Sequence, residues 1–108
     1  MIIEEKTSGK KIDYEVSGTK LTLNDELTIN LKKYEMDSEH IIDICIDTRG
    51  FLTMGVTSNT LKYVAQIVIP AREYEEIESI VDDETVITRN AVDFDINKCT
   101  LVLWGMEE

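Results

Sequence analysis

The sequence predicts an all-β protein, a single-domain antiparallel sandwich or partly open barrel of about eight strands with at most one short helix. Three observations carry that expectation. Apolar and polar residues alternate with a period of two along most of the chain, as half-buried strands require. Turn-forming clusters interrupt the alternation at roughly the 8–12-residue spacing of sandwiches and barrels. Only residues 71–81 offer helical spacing of their apolar side chains.

The clearest element is the hairpin within residues 41–57. Ile42, Ile44 and Ile46 alternate on one strand, and Leu52, Met54 and Val56 on the other. A three-residue loop, Thr48-Arg49-Gly50, closes with a glycine suited to the left-handed conformation of a type I turn with a G1 bulge. That loop sets Ile46 opposite Leu52, Ile44 opposite Met54 and Ile42 opposite Val56, on one shared apolar face.

Upstream, residues 1–9 are expected to form a loose N-terminal segment or a short edge strand. Ile12, Tyr14 and Val16 face Leu21 and Leu23 across a second hairpin, whose loop is either Ser17-Gly18 or Gly18-Thr19. Both registers keep the same side chains on the same face, and the first sets Glu15 opposite Lys20. Asn24-Asp25-Glu26 turns the chain into a strand carrying Leu27, Ile29 and Leu31, and residues 33–39 form a connection.

Downstream, Leu61, Tyr63, Ala65, Ile67 and Ile69 lie in step, with Val64 and Val68 on the other side, so this strand is expected to be covered on both faces. Pro70 ends or redirects it. Residues 71–81 read either as a short helix, from Tyr74, Ile77 and Val81 after Pro70, or as an extended strand end entering an acidic loop. Strands are expected at 85–89 and 92–96, with a break at Asn90. A turn at Asn97-Lys98 then leads into Cys99–Trp104, placing Phe94 opposite Leu101 and Val92 opposite Leu103.

At 108 residues the chain suits one domain, residues 1–108, with enough chain to bury a core. A formal charge of −11 repels phosphate backbones and anionic membranes, which disfavours nucleic-acid and membrane partners and leaves acidic DNA mimicry open. No apolar run approaches the roughly 18 residues of a spanning segment, and the N-terminus lacks the pattern of a signal peptide. Cys45 and Cys99 are therefore expected to be reduced core thiols in a cytoplasmic protein.

Chemistry is sparse. Asp93, Asp95 and Asn97 match the start of a calcium loop, but Lys98 and Trp104 stand where that loop needs glycine and glutamate. Asp43 and Asp47 are expected on a solvated outer strand face. His40 is the sole histidine and has no catalytic motif around it. The two cysteines sit in apolar strands of an acidic protein, which dulls a thiol. No catalytic, cofactor-binding or metal site is assigned, and no cofactor is expected.

Partner binding fits the residues better, through a protein partner or self-association. The acidic run Glu73, Glu75, Glu76, Glu78, Asp82, Asp83 and Glu84 reads either as a solvated face or as a docking surface for a basic partner. Val102 and Trp104 fall opposite Leu101 and Leu103 and are candidates for an apolar interface, which Tyr63 and Tyr74 would extend. The alternative function is a small-ligand or divalent-ion module that uses surface carboxylates.

The segments Ile42-Asp43-Ile44-Cys45-Ile46-Asp47, Ala65-Gln66-Ile67-Val68-Ile69-Pro70-Ala71-Arg72-Glu73-Tyr74 and Phe94–Trp104 resemble small uncharacterised proteins found with prophage genes of Gram-positive gut bacteria. The resemblance rests on hydrophobic strand patterns and implies a part in phage particle assembly. It brings no catalytic residues with it.

Overall fold

A computed structural model describes residues 1–106. These form ten strands: β1 (Ile2–Glu5), β2 (Tyr14–Ser17), β3 (Lys20–Leu23), β4 (Leu27–Asn30), β5 (His40–Asp47), β6 (Leu52–Met54), β7 (Thr60–Ile69), β8 (Tyr74–Val81), β9 (Glu84–Ala91) and β10 (Thr100–Leu103). The only helical pieces among them are two 3-10 turns, Leu31–Tyr34 and Ile96–Lys98. The chain is all-β, as the alternation predicts, and its sheets close into no barrel.

Five strands form the main sheet in the order β1-β10-β7-β5-β6, antiparallel except where β1 runs parallel to β10. A second sheet, β2-β3-β4, supplies Leu21, Leu23 and Ile29, which join Ile42, Ile44, Ala65, Ile67, Ile69, Leu101 and Leu103 of the main sheet in one buried cluster. Each fully buried aliphatic side chain contributes roughly 1.5–3 kcal/mol by leaving water. The third sheet is the hairpin β8-β9, which stands apart from both.

The central hairpin has the register its sequence predicts over two pairs, Ile44 with Met54 and Ile46 with Leu52. Gly50 takes φ +86°, and its N–H donates to the Asp47 carbonyl at 3.0 Å. The third expected pair does not form. β6 ends at Met54, short of Val56, and Met54 and Val56 are exposed. The second hairpin adopts the Gly18-Thr19 loop, so Glu15 faces Thr22 and not Lys20.

Two departures have local physical causes. The expected step from Leu61 to Ile69 is broken by register shifts in the β5–β7 ladder: Ile44 faces Ala65 while Cys45 faces Tyr63, which leaves Val64 as an extra residue. The inward face therefore changes from Ala65 to Val64, and Leu61 and Tyr63 end exposed. The expected hairpin of 92–96 with 99–104 is replaced by non-local pairing. Both edges of β10 are occupied, by β7 and by β1, so residues 92–95 stay outside the sheets. Phe94 and Ile96 pack on the core from there.

Residues 1–9 contain the edge-strand option, since Ile2–Glu5 pairs with β10. Beyond it, the Gly105 N–H donates to Thr7 Oγ1 at 2.6 Å and the Met106 N–H to the Lys10 carbonyl at 2.7 Å. Gly105 passes so close to the Ser8 carbonyl oxygen that a Cβ would collide with it.

Candidate functional site

The segment with a helical alternative is the feature that most distinguishes the molecule. Residues 71–81 form no helix. Tyr74–Val81 is strand β8, paired along its whole length with β9, from Tyr74 opposite Ala91 to Val81 opposite Glu84. Asn90 does not interrupt β9. At the tip, Asp82 and Asp83 take φ 54° and 63°, the left-handed pair of a two-residue hairpin turn. Aspartate tolerates that region better than most residues.

Every residue of both strands is exposed. The molecule measures 69 × 26 × 21 Å, with a radius of gyration of 18.3 Å, against about 13 Å for a compact chain of this length. The ribbon is thus an arm projecting from the body. Ile77, Ile80, Val81, Val86 and Ile87 are all exposed along it. β-branched residues give the ribbon strand propensity but have nothing to bury against within the chain. An isolated two-stranded hairpin is marginal in water.

The root of the arm is braced on both sides. The Arg72 N–H donates to the Met36 carbonyl at 2.7 Å, and its guanidinium donates to the Glu35 carbonyl at 2.9 Å. The Tyr74 hydroxyl donates to Asp37 Oδ1 at 2.5 Å, and the Arg89 guanidinium lies 4.4 Å from the Tyr74 ring centre. On the opposite side Lys98 pairs with Glu73, and the Val92 N–H donates to the Glu73 carbonyl at 2.8 Å. Between these braces lies a cleft of about 440 Å³ lined by Pro70, Ala71, Val92, Phe94 and charged neighbours.

Of the four residues considered for an apolar interface, Trp104 and Tyr63 are in ring contact, and Tyr74 lies apart from them. Val102 is on the face of the main sheet turned away from the core, where the row Glu4, Val102, Gln66, Asp43 crosses four strands. It is only 5% exposed, screened by its neighbours. Trp104 follows β10, half-buried, with its ring 6.4 Å from that of Tyr63, and its N–H donates to the Val64 carbonyl. Tyr74 lies beyond the far end of β7. Val64 and Ile69 alone are separated by roughly 17 Å of strand. The outer face of the main sheet does carry apolar side chains, Ile2, Ile41 and Val68 in one row, beside Glu4 and Asp43 in the next.

Several of the remaining chemical candidates have structural partners. Asp47 is not on a solvated face: it is 1% exposed, enclosed by the loop it organises. Its carboxylate accepts from the Arg49 guanidinium at 2.8 Å and from the backbone N–H groups of Arg49 and Phe51 at 2.9 and 3.0 Å. Those bonds, led by the one from the Arg49 side chain, hold its pKa below the usual carboxylate value against the opposing effect of burial. Asp43 accepts from Gln66 Nε2 at 2.8 Å, and Asp95 caps the 3-10 turn by accepting from the Asn97 N–H at 2.9 Å. His40 stacks on Tyr34.

Cys45 and Cys99 are free, buried thiols. Burial raises both pKa values, that of Cys99 to about 11, which leaves little thiolate at neutral pH. Among the described residues no three His, Cys, Asp or Glu side chains converge to hold a metal ion. Among the same residues no helix is long and apolar enough to cross a membrane. No protein-family model, curated protein or solved structure matches the chain.

Proposed function

We propose that this chain is a non-enzymatic interaction or structural protein that joins an assembly through its β8–β9 arm. One observation carries the reading: eighteen consecutive residues, 74–91, form a ribbon exposed throughout that still displays five aliphatic side chains. Ile77, Val81 and Val86 lie on one face of the ribbon and Ile80 and Ile87 on the other, with no second layer over either. Exposed apolar clusters of this kind mark interaction surfaces. The braced root holds the ribbon away from the body, as a docking element requires and a solvated loop does not.

A prophage particle is the proposed setting, supported by the resemblance of the strand segments described above. The cytoplasm is the proposed compartment, supported by two cysteines that are both free thiols. The test compares the full chain with a version whose arm is trimmed to a short turn between Glu73 and Val92, both as tagged baits in cells that produce the native protein. The full chain should retain a defined second protein or further copies of itself that the trimmed chain loses. Equal recovery by both baits would sink the reading.

A further inference from the structure

Resting on that reading, we infer that the arm joins a second copy of this chain edge to edge. Strand β9 of one copy pairs antiparallel with β9 of the other, about a two-fold axis through Ile87, giving a sheet β8-β9-β9-β8. The ribbon has two edges, and among the described residues no third strand pairs with either. An unpaired edge presents backbone donors and acceptors that another chain can use. The edge strands of the other two sheets, β1, β6, β2 and β4, are only three or four residues long. β8 and β9 are eight residues each, exposed throughout and paired without a bulge.

Backbone direction fixes which groups are free. The Val92 N–H donates to the Glu73 carbonyl, so these two residues form a hydrogen-bonded pair, and such pairs alternate along an antiparallel ladder. Asn90, Thr88, Val86 and Glu84 therefore bond to β8, while Arg89, Ile87 and Thr85 turn their N–H and C=O groups outward. The outward groups on β8 are those of Tyr74, Glu76, Glu78 and Ile80.

Side chains then separate the two edges. β8 carries Glu75, Glu76 and Glu78, and its longest registers against its own copy set Glu76 opposite Glu78, or Glu78 opposite itself. β9 carries one carboxylate, Glu84, and one cation, Arg89, around the β-branched run Thr85-Val86-Ile87-Thr88. Outward residues must face outward residues. An axis at Ile87 sets Ile87 on Ile87, Thr85 opposite Arg89 and Val86 opposite Thr88, with about six backbone hydrogen bonds between the copies. An axis at Arg89 would oppose two guanidinium groups, and one at Thr88 would set Ile87 against Arg89. The antiparallel sense also lays the Glu84 end of each strand along the Arg89 end of the other, whereas an in-register parallel pair would align Glu84 with Glu84. Both β8 strands stay outermost, about 14 Å apart. That exceeds the Debye length of roughly 8 Å at physiological salt, so their glutamates are screened from each other.

The test reads the mass of the purified full chain by light scattering across a concentration series, with Ile87→Lys and Ile80→Lys as variants. The two positions are exposed and face outward on opposite edges, and a circular dichroism melt checks that each variant folds. The wild-type chain should form a dimer and no larger species. Ile87→Lys opposes two lysines on the axis and should raise the dissociation constant by about tenfold or more. Ile80→Lys should leave it nearly unchanged. Raising salt should tighten the dimer, because the two arms carry like net charge. As a second readout, Ile87→Cys treated with oxidised glutathione should yield a disulfide-linked dimer, and Ile80→Cys should not. The native thiols of Cys45 and Cys99 are buried.

Loss of the dimer in Ile80→Lys, or a mass that grows past a dimer, would overturn the assigned edge. A dimer that salt weakens, or that Ile87→Lys leaves intact, would overturn it too. A wild-type chain that stays monomeric at all concentrations would overturn pairing with a second copy. The bait comparison above would then decide separately whether the arm serves another partner.

Discussion

The body and the arm are built from the same kinds of residue in the same strand pattern, yet they differ in what the pattern does. In the body, Ile42, Ile67 and Leu101 line up across three strands and meet a second sheet, so their alternation buries one face. In the arm, Ile77 and Val86 share a face and Ile80 and Ile87 the other, and neither face buries a residue. A strand pattern thus specifies pairing without specifying burial. Burial needs a second layer, and the arm has none within its own chain.

Stability measurements should separate the two regions most sharply at their aliphatic residues. Ile67→Ala removes a side chain with no exposure from the centre of the main sheet and should lower unfolding free energy by about 2–5 kcal/mol in urea titrations. A loss below 1 kcal/mol would mean that the two sheets are not packed as described.

Gly105→Ala comes next. The added methyl meets the Ser8 carbonyl where the N-terminal segment crosses the end of the chain, and should cost about 1–3 kcal/mol through forced backbone movement. An unchanged melting temperature would show that this crossing yields freely.

Acid sensitivity probes the body again. Asp47 has a lowered pKa in the folded chain, so the unfolded chain, near the ordinary value of about 3.9, takes up its proton first. Its contribution is complete above that ordinary value and is lost as pH falls through the folded one. Asp47→Asn should therefore have a lower melting temperature at pH 7 and a shallower decline on acidification than the wild type. Parallel declines would remove Asp47 from the account. Ile80→Ser on the arm, at 78% exposure, should have the smallest effect on the monomer, within about 0.5 kcal/mol. A larger loss would mean that the ribbon is packed against the body in solution.

Several features were legible from residue order because they depend on near neighbours. The Thr48-Arg49-Gly50 loop follows from a glycine at the position that needs positive φ, and the Ile44–Met54 and Ile46–Leu52 pairs follow from the loop. The acidic run at 73–84 was visible as charge, and one of its two readings was a docking surface. Its shape was not visible, because Tyr74, Ile77 and Val81 satisfy a helical period as well as they satisfy a strand. Pairing with Glu84–Ala91 settles the matter by supplying backbone partners that no helix could use. Asp47 is buried where alternation predicts a solvated face, because alternation assigns a side to a residue but says nothing of a loop folding over it.

The sequence by itself determined that this protein is all-β, where its sharpest turn lies and which side chains could line a core, since alternation and turn chemistry act over a few residues. Tertiary structure decided what distant segments do to each other. It set β10 between β1 and β7, shifted the inward face of β7 at Val64, and left Tyr74–Ala91 standing free. Each of these outcomes depends on which backbone edge or apolar face remains unoccupied once the rest of the chain has packed, and that is a property of the whole fold.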